Sequence, residues 1–69
     1  MGWAEWQREH EAALRALQLA QQAYHRAVAG NAFATPGDLA TGLEAQRECL
    51  EQVDAARARL DDVRARRPE

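Results

Sequence analysis

The sequence predicts an all-α fold. The expectation is an antiparallel two-helix hairpin spanning residues 1–69 as one unit, completing a four-helix bundle or coiled-coil-like assembly with a partner chain. Three observations predict it. Apolar residues recur at three-and-four spacing along two long runs. The four glycines and two prolines gather mainly between residues 30 and 42 and at Pro68. Alanine supplies 16 of the hydrophobic residues that make up 46% of the 69-residue chain, so each apolar stripe is narrow.

The first helix is expected over about 3–29. Trp6, Ala13, Leu14, Leu17, Ala20, Tyr24, Ala27 and Val28 fall on one stripe, while Arg8, Glu11, Arg15, Gln18, Gln22 and Arg26 follow the same spacing on the other side. A strand would alternate with period two, which this run does not. Glu5 and Glu9 near the start, and His25 and Arg26 near the end, suit the helix dipole. Gly30-Asn31 supplies residues that tolerate a left-handed C-terminal cap.

A turn at about 30–35 is short enough to fold the second helix back antiparallel. Phe33 within it is expected to plug the closed end of the hairpin. Thr35-Pro36-Gly37-Asp38 then reads as a helix start: Thr at the N-cap, Pro at the first helical position, and a capping box with Asp in the place of Glu or Gln.

The second helix is expected over about 36–66. Its stripe is Leu39, Leu43, Cys49, Leu50, Val53, Ala56, Leu60 and Val63. Gly42 inside it costs roughly 1 kcal/mol relative to Ala, so either the first turns are loose or something packs closely there. Arg64, Arg66 and Arg67 complement the helix C-terminus before Pro68 stops it. Ala13, Ala20 and Ala27 recur every seven residues and alternate with Leu17 and Tyr24, a layering of small and large residues that permits close helix approach.

Composition narrows the function classes. The chain has no Ser, no Lys and no Ile, with nine Arg as its basic residues, a bias that suggests a GC-rich, bacterial coding sequence. Its formal net charge is −2. No run approaches the ~18 apolar residues of a membrane span, and a lone Cys49 gives no disulfide framework. The first residues lack the basic region and apolar stretch of a signal peptide. A cytoplasmic location is therefore expected, with secretion by a signal-peptide-independent route as the alternative.

Nothing in the sequence makes an enzyme. His10 and His25 lie 15 residues apart, about four helical turns, so one metal ion does not take both from the same helix. Gln7 and Gln22 stand where a di-iron bundle places Glu. Cys49 has Arg47 nearby but no recognisable base. No catalytic residue, metal, cofactor or small-molecule ligand is expected.

The run Arg57, Arg59, Arg64, Arg66 and Arg67 raises nucleic-acid binding as an alternative function. Asp54, Asp61, Asp62 and Glu69 interleave with it, and spacings such as Arg57–Asp61 and Asp62–Arg66 read as helix-surface pairs. A phosphate-binding stripe needs one sign on one face, so nucleic acid and membrane surfaces are both disfavoured as partners.

Two helices cover only one side of each other, and 16 large apolar side chains ask for more cover than that. The expected function is a small non-enzymatic interaction module that binds itself as a homodimer, or another protein. Its working surface is expected to include Leu14, Leu17, Tyr24, Leu50, Val53 and Leu60, with Trp3 and Trp6 either docking a partner or capping the bundle's open end. In outline the chain resembles the WXG-type secretion hairpins, but it reads Gly30-Asn31-Ala32-Phe33 where they have Trp-x-Gly. It also resembles the small hairpin co-chaperones of type III secretion, with no shared motif. The likeness, one of shape, implies a second alternative: a secretion-associated chaperone or a small secreted hairpin.

Overall fold

The computed structural model describes residues 2–69. Two α-helices, α1 (Trp3–Asn31) and α2 (Pro36–Ala65), lie antiparallel and pack against each other along their lengths. The pair forms a rod of 53 × 13 × 11 Å between Cα extremes.

The helices meet along one seam of alternating small and large residues. On α1 the seam runs Trp6, His10, Ala13, Leu17, Ala20, Tyr24, Ala27 and Asn31, all buried or half-buried. On α2 it runs Gly42, Gln46, Cys49, Val53, Ala56, Leu60 and Val63, equally covered. Spacings of three and four alternate without a break on both helices, the pattern that keeps one stripe facing a partner helix. Ala13 is fully buried, at 0% exposure. The tightest packing gathers at the open end, where Trp6, Ala13, Leu60 and Val63 form one cluster with Leu14 and Leu17 against it.

Three local expectations are corrected. The first concerns the end of α1, which continues through Gly30 and Asn31 with no left-handed residue among those described. The amides of Phe33 and Ala34 turn back to the carbonyls of Gly30 and Asn31 at 3.3 and 3.2 Å, so a tightened turn satisfies the last carbonyls and no glycine cap is required. The two extra residues carry Asn31 onto the seam. Its side-chain amide donates to the Gly42 carbonyl at 2.8 Å and to Gln46 Oε1 at 2.9 Å. That contact explains Gly42: a Cβ there would sit 2.9 Å from Asn31 Cγ and closer still to its Oδ1.

Second, Phe33 does not plug the closed end; it is 90% exposed. The turn carries it past the end of the seam, where no helix lies opposite. Third, the Thr35 hydroxyl donates to the Asp38 carboxylate at 2.9 Å rather than capping a backbone N–H. The Thr35 carbonyl still accepts from the amides of Asp38 and Leu39, each at 3.0 Å, and Pro36 at the start needs no amide partner.

Candidate functional site

The open end is a closed, self-satisfied cluster. Trp6 stacks between Trp3, at 5.3 Å between ring centroids, and His10, at 4.8 Å. Its indole N–H donates to the Val63 carbonyl at 2.8 Å. The Arg67 guanidinium sits over both indoles, 5.3 Å from Trp3 and 5.8 Å from Trp6, close enough for a cation–π attraction. Arg66 reaches Asp62 at 3.1 Å and Glu9 at 3.7 Å. Two arginines of the basic run are thus engaged within the chain.

The residues expected to meet a partner are separated by the packing. Trp6, Val53 and Leu60 are buried between the two helices, so within the hairpin they contact their own chain. Leu14 is half-buried on the rim and Leu17 and Tyr24 are half-buried on the seam, while Trp3 and Leu50 are exposed at 45% and 42%.

The apolar stripe read from the sequence therefore splits into a seam and a flank. On α1 the flank column follows the small seam residues, giving Leu14 after Ala13, Gln21 after Ala20 and Val28 after Ala27. On α2 it follows Gly42 and Cys49, giving Leu43 and Leu50, and continues after Ala56 and Val63 with Arg57 and Arg64. Because the helices run in opposite directions, these two columns border the same side of the seam. The pairings of Trp6 with Val63 and of Asn31 with Gly42 set the register. They bring Val28 opposite Leu43, Gln21 opposite Leu50, and Leu14 opposite Arg57.

The other side of the seam is different in kind. Its columns precede the large seam residues: Glu9, Ala16, Ala23 and Gly30 on α1, and Ala45, Gln52, Arg59 and Arg66 on α2. The Glu9–Arg66 contact closes that side at the open end. Val28, Leu43 and Leu50 remain 39%, 50% and 42% exposed on the apolar flank. Leu19 and Leu39, on neither column, are separate exposed leucines of the ordinary surface kind.

Val28 and Leu43 were visible in the sequence as stripe members but do not stand out as contact residues there. The seven-residue recurrence of Leu14, Gln21 and Val28, and of Leu43 and Leu50, is the signal that finds them.

Among the described residues there is no pocket and no group of three or more His, Cys, Asp and Glu placed to hold a metal ion. Among the described residues no helix is long and apolar enough to cross a membrane. Comparison with protein-family models, with curated proteins and with solved structures finds no match to this chain.

Proposed function

We propose that this chain is a small non-enzymatic interaction module, whose Leu14–Val28–Leu43–Leu50 flank lies against helices of another chain to complete a four-helix bundle. One observation carries the reading. After the seam is closed, four large aliphatic residues from both helices border one side of the rod, and the other side is small or polar.

The accessible surface is 5237 Å², about 900 Å² more than a globular monomer of 7.7 kDa exposes by the usual scaling, as the elongated shape of a 53 × 13 × 11 Å rod entails. Engagement of Arg66 and Arg67 with Glu9, Asp62 and the two tryptophans favours this reading over phosphate binding by the end of α2.

Photo-cross-linking in the cells that make the chain tests it. A photoreactive residue at Leu43 is expected to give a protein adduct, and one at Arg15, on the outer face of α1, is expected to give none. Absence of an adduct from position 43 overturns the reading.

A further inference from the structure

We infer that the occupant of this flank is a second copy of the chain, related by a two-fold axis crossing the flank at the level of Gln21 and Leu50. The inference rests on the interaction reading above and names its partner. In this arrangement α1 lies antiparallel on α1 of the second copy, and α2 on α2.

The charge pattern is what selects it. The next column outward on α2 holds Arg47 and Asp54, three residues before and four residues after Leu50. Rotation about an axis at Leu50 sets Leu50 against its own copy and Arg47 against Asp54 of the second copy, twice by symmetry. On α1 the same operation sets Leu14 against Val28 of the second copy and Gln21 against Gln21, whose amides are able to pair. Leu43 meets the aliphatic stem of Arg57, a side chain that covers apolar surface while its head stays in water.

The competing two-fold arrangements are poorer. Moving the axis midway between Leu43 and Leu50 places Arg47 on Arg47. Turning it parallel to the rod places α1 on α2 of the second copy, which brings Glu11 beside Asp61. Like charges set together suppress wrong registers. Only the axis at Leu50 matches opposite charges and pairs aliphatic residues at once, and a self-complementary patch is what a two-fold interface requires.

The experiment is sedimentation equilibrium on the full chain and on charge-reversed variants, with helicity followed by circular dichroism. The wild-type chain is expected to be a dimer. Arg47→Asp places two acids together and Asp54→Arg places two arginines together, so each variant alone is expected to dimerise at least about tenfold more weakly. An equimolar mixture of the two restores both opposite-charge contacts and is expected to recover wild-type affinity as a heterodimer. Leu50→Lys, at an exposed site, is expected to abolish dimerisation with helicity retained; if it unfolds, the charge variants decide.

A wild-type chain that is monomeric at about 100 µM overturns the inference. So does a mixture that associates no better than its components. An adduct from position 43 whose mass is not that of two copies overturns the second copy while leaving the interaction reading intact, whereas no adduct at all removes both.

Discussion

The indole N–H of Trp6 donates to the main-chain carbonyl of Val63 at 2.8 Å, a buried bond between residues 57 apart in the chain. It ties the first turns of α1 to the last turns of α2 at the point where an open-ended hairpin would otherwise fray. The Val63 carbonyl also accepts from the Arg66 amide at 3.1 Å, so the same group anchors the tertiary contact and the end of α2. Trp6 thereby acts in closing the rod's open end, and its neighbour Trp3 completes the stack from outside.

Replacing Trp6 tests that closure. Trp6→Phe keeps an aromatic ring but removes the donor, with an expected loss of about 1–2 kcal/mol. A domain of this size loses about 4–8 °C in Tm per kcal/mol. Trp6→Ala removes the ring as well and is expected to cost about 3–5 kcal/mol, enough to unfold a marginal hairpin. Thermal melts at matched concentration read both, since Tm depends on concentration wherever chains associate.

Ala13 sets the spacing of the helices. Ala13→Leu forces bulk into a fully covered site and is expected to destabilise by about 1–3 kcal/mol. Ala12→Leu, one residue away on the exposed side, is expected to change stability by less than about 0.5 kcal/mol. Equal losses in chemical denaturation would show that the seam does not confine position 13.

Asn31 and Gly42 form a coupled pair, so their effects are not additive. Gly42→Ala alone crowds the Asn31 side chain and endangers its two hydrogen bonds, with an expected loss of about 1 kcal/mol. In an Asn31→Ala background the same substitution meets no side-chain amide. The helix propensity of Ala then dominates, and a gain of up to about 1 kcal/mol is expected. A double-mutant cycle by urea denaturation measures the reversal of sign, and an unchanged sign would sink the coupling.

Phe33 at the turn is expected to be dispensable for folding. Phe33→Ser removes a ring that is 90% exposed, so stability is expected to shift by less than about 0.5 kcal/mol. A larger loss in thermal melting would restore the plug that the sequence suggested.

The second helix begins with a hydroxyl that bonds a side chain, Thr35 to Asp38. Thr35→Ala is therefore expected to cost less than the ~1 kcal/mol usual for an N-cap threonine, as read from equilibrium denaturation.

The amino-acid sequence alone determined the two helices, their antiparallel return and the existence of an apolar stripe on each. Those features depend on spacing, on Pro36 and on the scarcity of breakers, which act over a few neighbouring residues. Tertiary packing decided the rest. Whether Leu43 lies in the seam or beside it, whether Asn31 ends a helix or pins one, and whether Phe33 is covered all depend on where the other helix stands. A stripe in the sequence records which residues avoid water, but not which of them the opposite helix can reach. Here α2 reaches Trp6, Ala13 and Leu17 and leaves Val28 partly exposed, because two rods in contact close one seam between them and expose its border.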